Sequence, residues 1–310
     1  MDEITHAASE GTEAGGGDAQ VKAARPPITP RKLDHQFTQV PRHWFGGFAV
    51  PTHIANGVNL LFPEGERFFV RSVYHYLERI EDPALRAAIK GFGGQEGRHA
   101  KAHEDFFATL RAQGYDLDAF LRFYRWLSYA VLERASPPVL RLSATAAAEH
   151  FTAIMAEGLT REAAFETAHP AMRQLLLWHA AEELEHKSVA YDVLQQVNPS
   201  YPLRVAGLAV ATSMLVSMWW LATLMLLRQD GIGPLRAWWG LRAIRCETKT
   251  EPIGRRVFAR GIRAYLRRDF HPDHEDNYHL AATLLARAAA AGAEVAQLQR
   301  REAGAAAPVA

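Results

Sequence analysis

Two Glu-x-x-His tetrads, Glu96-Gly97-Arg98-His99 and Glu183-Leu184-Glu185-His186, constrain this chain more than any other feature. Both lie in segments that read as long helices, where an i, i+3 spacing puts the two side chains of a pair on one face. Carboxylates and imidazoles turned inward are strongly disfavoured unless something partners them. Either both faces stay in water, or several helices close around a shared polar centre.

The punctuation between residues 60 and 198 supplies those helices. A first segment runs from Glu64 to Glu81 and stops at Asp82-Pro83, because a residue before proline avoids the helical region. A second starts at Pro83 with Asp82 as its cap and runs to Gly114, a C′ glycine. A shorter one covers Leu117 to Arg134. The next starts at Ser136-Pro137-Pro138 and ends near Gly158, and the last runs from Pro170 to Asn198-Pro199. No period-2 strand intervenes, so the expected fold is all-α, a bundle of four long helices with one or two short ones.

The first of these helices offers Glu66 and the third offers Glu149. With the two tetrads, that places a carboxylate on each of two helices and Glu-x-x-His on each of the other two. This is the ligand set of the ferritin-like di-iron and di-manganese carboxylate bundles. Two metal ions held close together need carboxylates for charge balance and imidazoles for terminal positions. A single Glu-x-x-His means little, and most charges on an amphipathic helix, such as Glu78, Arg79 and Glu81, form a solvated face. Two pairs on separate helices, each preceded by a Glu-bearing helix, carry the metal reading.

His179 adds a detail: the fourth helix reads His-x-x-x-Glu-x-x-His. Relative to His179, Glu183 lies near about +40° and His186 near about −20° around the helix. The pattern resembles the di-iron N-oxygenases that oxidise aryl amines, such as p-aminobenzoate N-oxygenase. That resemblance implies Glu66, Glu96, His99, Glu149, His179, Glu183 and His186 as ligands of two metal ions, iron or manganese, over residues 60–198. A core or outer role for His179 is the competing reading. Glu182 lies about 60° from His179 and competes with Glu183, although only Glu183 keeps the i, i+3 spacing to His186. His103, one turn beyond His99, reads as an outer or substrate-facing residue, His150 as pointing elsewhere, and Glu185 and Lys187 as surface. Phe69, Tyr74 and Trp178 line either a pocket or plain core.

From about residue 30 to 300 the chain also resembles a bacterial family known as predicted metal-dependent hydrolases. The stretch Trp178 to Asp192 and the run Gly94-Gln95-Glu96-Gly97-Arg98-His99 carry that resemblance, with the apolar run after 203. The family description implies hydrolysis, by a hydroxide made from water at the metals, whereas the ligand set suggests redox metals and dioxygen. The leading expectation is O2-dependent oxidation of a small organic substrate, with an electron donor left open. Metal-dependent hydrolysis is the alternative, and a non-catalytic metal-binding bundle the third reading.

The rest of the chain divides by composition. Its 310 residues hold 35 Lys+Arg and 34 Asp+Glu, and the hydrophobic share is 48%. Those values exclude a disordered chain and a nucleic-acid binder that relies on bulk charge. The single cysteine, Cys246, excludes a disulfide framework and a Cys-based metal site. Of the 14 histidines, three carry the ligand reading. Residues 1–30, rich in Gly and Pro and lacking a secretory pattern, read as a disordered tail. Residues 31–200 form the expected ferritin-like bundle, 201–228 a hydrophobic helix, and 229–310 a basic helical region ending in a helix near Tyr278 to Arg301.

Val205 to Leu227 is uncharged over 23 residues, which as a helix would reach about 35 Å. Residues 228–270 then hold 11 Lys/Arg against four Asp/Glu, a net +7. A membrane span, an in-plane helix and a buried or dimer-forming helix all fit the run. A single span from a cytoplasmic bundle would place the +7 stretch outside, against the positive-inside rule. The expectation is a cytoplasmic-side protein associated with a lipid surface through 205–227, with Trp238-Trp239 and the basic residues at the headgroups, and a homodimer left open.

Overall fold

The computed structural model describes residues 25–34, 36–37, 39–161, 163–248 and 254–305. Residues 1–24 of the tail, and Lys249 and Glu251 of the basic stretch, lie outside the described residues. Among the described residues there is no strand, and an isolated bridge joins Phe45 to Ala168. The fold is all-α.

The helices are α1 (Ala49–Asn59), α2 (Phe62–Tyr74), α3 (Pro83–Ala112), α4 (Asp118–Arg125), α5 (Pro138–Arg161), α6 (Pro170–His186), α7 (Val189–Val197), α8 (Tyr201–Gln229), α9 (Pro234–Thr248), α10 (Arg260–Tyr265) and α11 (Leu280–Ala305). α3 begins as its sequence dictates. Asp82 accepts a hydrogen bond from the Ala84 amide at 2.9 Å, and Gly114 follows the helix at φ +92°, with the Tyr115 amide closing on the Leu110 carbonyl.

Three helices depart from the expected bounds. α2 ends at Tyr74, seven residues early, and a short 3₁₀ turn, Leu77–Arg79, follows. Arg86 donates to the Leu77 and Ile80 carbonyls there, so they need no further helical turn. The segment 117–134 splits into α4 and a wider π-helical stretch, Trp126–Glu133. The segment 170–198 breaks at Lys187-Ser188, immediately after His186.

α6 is the axis of the molecule. It packs against α3, α5 and α11, while α2 packs on α3, and α8 lies along α5 and α1. Every residue from Leu177 to Tyr191 is buried. That central position explains why Glu185 and Lys187, expected at the surface, are 6% and 2% exposed. A helix covered on all sides has no solvent face for an amphipathic pattern to predict.

Residues 25–30, expected in the disordered tail, instead pack against the bundle. A Cβ at Gly91 would lie 2.5 Å from the Ile28 carbonyl oxygen, and one at Gly94 would lie 2.5 Å from the Pro30 ring. The two glycines open the surface of α3 to a strap formed by residues 28–31.

Candidate metal centre

All seven sequence-implied ligands converge at one buried place. Glu66 arrives on α2, Glu96 and His99 on α3, Glu149 on α5, and His179, Glu183 and His186 on α6. None is more than 4% exposed. Their donor atoms fall into three overlapping groups: Glu66, His99 and His179; Glu96, His99 and Glu183; and Glu96, Glu149 and His186. Within each group the atoms lie within 4.8 Å of one another.

Two carboxylates sit in the middle. Glu183 Oε1 lies 2.8 Å from His179 Nε2, 3.8 Å from His99 Nδ1 and 3.6 Å from His186 Nε2. Glu96 Oε1 lies 3.0 Å from His186 Nε2 and 3.9 Å from His99 Nδ1. Glu66 and Glu149 stand at opposite ends, 3.6 Å from His179 Nε2 and 3.3 Å from His186 Nε2 respectively. Helical periodicity produces this: i, i+3 and i, i+4 spacing on α3 and α6 aims five side chains at one point.

An outer layer fixes each imidazole. His99 Nε2 meets Glu182 Oε2 at 3.0 Å, His186 Nδ1 meets Gln95 Oε1 at 2.9 Å, and His179 Nδ1 meets His103 Nε2 at 2.7 Å. In each case the second ring nitrogen is left facing the carboxylates, the arrangement that metal-binding histidines favour. Arg31 of the strap then binds Glu182 at 3.1 Å and grips Glu185 with both terminal nitrogens at 2.7 Å. Gln95 donates to Glu185 at 2.8 Å, which closes the network.

Glu182 thus belongs to the outer layer, and the choice between it and Glu183 as the inward residue resolves in favour of Glu183. His150 points away, its Nε2 meeting the Gly261 carbonyl at 3.0 Å. The Trp178 ring stands edge-on to His99 at 4.9 Å, whereas Tyr74 is 37% exposed. Gln95, Arg31 and Glu185 had no role in the sequence reading. The one available signal was the place of Gln95 beside Glu96 in the run Gly94–His99.

The electrostatics call for positive charge. Burial, with Glu96 close by, holds the Glu66 carboxyl well above the usual range. Burial also pushes Glu96 up to about 8 and Glu149 up to about 7. Burial would raise Glu183 as well, but the imidazoles of His186 and His179 hold it well below its usual value. Burial works against protonation of His186, yet Glu183 and Glu149 hold its pKa well above normal. Both oxygens of Glu66, Glu96 and Glu149, and Oε2 of Glu183, are buried without a well-directed hydrogen bond, the His186 Nε2 contacts to Glu96 and Glu149 at 3.0 and 3.3 Å being close in distance only. So many orphaned carboxylate oxygens in a native core call for bound cations. Carboxylate and imidazole donors suit divalent iron, manganese or zinc, so the residues fit metal ions.

Two spaces reach the centre. A groove on one side is lined by Glu64, Arg67, Arg71, Glu104, Arg125 and Tyr129, with Glu96 and exposed Gly97 also in its wall. A separate apolar cavity includes Glu66 in its lining.

No curated protein and no solved structure matches the chain. A family model described as predicted metal-dependent hydrolase matches residues 29–276, a span that includes the strap residue Arg31 and every donor described above. With four-fifths of its length so matched, the chain belongs to the family of predicted metal-dependent hydrolases.

Proposed function

We propose that the chain is a hydrolase built on a ferritin-like two-metal centre. Glu66, His99 and His179 would hold one ion, Glu149 and His186 the other, with Glu96 and Glu183 between them. The observation that carries this reading is the set of orphaned carboxylate oxygens, which four helices deliver to one point beside a polar groove. When bound, the metals supply Lewis acidity and make water a nucleophile at neutral pH.

The chain's own residues do the rest. Glu182, Gln95 and His103 orient the imidazoles. The groove admits water past Glu96, and its charges are internally balanced: Arg67 pairs with Glu104 at 2.7 Å, and Arg125 donates to Glu64 at 2.7 Å. The apolar wall beside Glu66 receives the organic part of the substrate. The overall reaction is addition of water across an acyl bond, giving a carboxylic acid and an alcohol or amine.

A second reading, O2-dependent oxidation of a small organic substrate with an external electron donor, draws on the third histidine, His179, and on the apolar cavity. One experiment separates the two. The full chain is loaded with iron, manganese or zinc, its metal content is measured, and p-nitrophenyl esters are turned over under argon and under air. The expected result is about two metals per chain and equal hydrolysis in both gases, reduced at least 100-fold in Glu96→Ala and His186→Ala. Turnover that requires air and consumes O2 would replace the first reading with the second. Well under one metal per chain would sink both.

We also place the protein against a lipid surface on the cytoplasmic side. α8 is long and apolar enough to cross a membrane, but its inner face is committed to the bundle: a Cβ at Gly207 would lie 2.1 Å from Ser143 Oγ, and Trp219 donates to the Ile54 carbonyl at 2.7 Å. The exposed apolar side chains concentrate on its C-terminal half and on α9, including Trp220, Leu221, Leu224, Trp238 and Trp239. That distribution supports an in-plane contact over a span.

A further inference from the structure

The cavity beside Glu66 lies between α2, α5 and α8 and measures about 110 Å³. Phe69, Ala144, Ala148, Val210, Met214 and Leu215 form much of its wall, and Glu66 is its one carboxylate. Arg141, its one cation, lies 3.3 Å from Glu133 Oε1 and does not call for an anionic ligand. Its surface is mostly apolar, although Tyr124, Ser128, Ser136 and Thr152 also border it, and such a space takes apolar molecules; an engineered cavity of about 150 Å³ binds benzene.

The wall is also adaptable and selective. Met155 and Met214 line it from α5 and α8, and methionine reshapes around irregular apolar occupants. Small residues, Ala144 and Ala148 on α5 and Ala211 on α8, leave the space open where larger side chains would close it. Ser128, from the π-helical stretch 126–133, is buried against the same space. The apolar helix α8 therefore does more than cover the bundle: part of its inner face lines the space that ends at a metal-ligand carboxylate.

We propose that the substrate carries an unbranched apolar chain that lies in the cavity between α2, α5 and α8 and presents its reacting end at Glu66. This rests on the two-metal reading of the Glu/His centre. The polar groove at Glu96 then serves water and the polar product.

The test is binding of linear 1-alkanols, from butanol to decanol, to the manganese-loaded full chain, with metal content measured on the same samples. Affinity is expected to rise about fourfold per added methylene until the cavity is full, then to level off. Relaxation of ¹³C-labelled octanol by the bound manganese should be stronger at the hydroxyl carbon than at the terminal methyl. Ala148→Phe and Met214→Trp, which fill the cavity from two different helices, should each weaken octanol binding at least tenfold with helicity and metal content unchanged. Affinity independent of chain length, equal relaxation at both ends, or undiminished binding in a folded variant would overturn the inference. Should both variants fail to fold, the relaxation gradient in the unaltered chain decides. Metal below one per chain with normal alkanol binding would overturn the two-metal reading, and the substrate assignment with it. Full metal with binding indifferent to chain length overturns the substrate assignment alone.

Discussion

A histidine binds a metal well only if its other nitrogen is held. On the proposed reading that task would fall to Glu182, Gln95 and His103. Removing such an outer partner typically lowers metal affinity 10- to 100-fold while leaving the ligands in place. Glu182→Gln and Gln95→Leu are therefore expected to weaken metal binding by about that factor in chelator-competition titrations, with the circular dichroism unchanged. Affinities equal to the unaltered chain would show that the imidazoles need no such support. The inner donors were readable because Glu-x-x-His is a spacing, and spacing survives in a sequence. Of their outer partners only His103, one turn beyond His99, was readable in that way. Arg31 reaches Glu182 across 151 positions, and no local pattern announces a contact of that range. Glu185 and Lys187 failed in the opposite direction, because ordinary experience of charged residues on helices applies only where a helix has a wet face.

Among the helices, legibility follows the source of stability. α3 carries its own start and stop in Asp82-Pro83 and Gly114, and its bounds could be read from residues alone. α1 could not be. It contains Pro51, Asn56, Gly57 and Asn59, poor helix formers held by tertiary contacts such as the 2.9 Å hydrogen bond from Trp44 Nε1 to Asn56 Oδ1. α8 was legible as an apolar helix but not in its placement, since an uncharged run looks the same whether lipid or protein surrounds it. Its Gly207 and Ser143 contact shows protein on one side, and Trp220 at 50% exposure shows an open face on the other. An in-plane helix of this kind should float with vesicles that contain anionic lipid and be released by carbonate. Trp220→Ser combined with Leu224→Ser should reduce the bound fraction several-fold. Resistance to carbonate would instead establish a true span, and indifference to vesicles would remove the lipid surface altogether.

The candidate centre joins α2, α3, α5 and α6, so on the proposed two-metal reading metal binding would stabilise the whole bundle. Without metal, the folded protein must keep protons on buried carboxyls that would ionise near 4.5 if exposed. Glu96, pushed up to about 8, and Glu149, up to about 7, mean that the native state binds more protons than the unfolded chain between roughly pH 4.5 and 8. These carboxyls make the stability of the metal-free protein fall as pH rises through that window, outweighing the opposite contribution of buried His150, held down at about 4. His186, with its pKa raised in the folded state, acts in the same direction, because its contribution is present at low pH and lost as it deprotonates. Metal reverses the sign: it replaces the protons, binds more tightly as they leave, and stabilises only the folded chain. A chelator-treated sample should therefore melt at progressively lower temperature from pH 5 to pH 8, while a metal-loaded sample holds level or rises. At free metal about 100-fold above the dissociation constant, the gain of about 2.7 kcal/mol amounts to a shift of about 4 °C for a chain of this size. The difference between the two melting curves should widen with pH. Parallel curves would mean that the buried carboxylates are balanced by something other than bound metal.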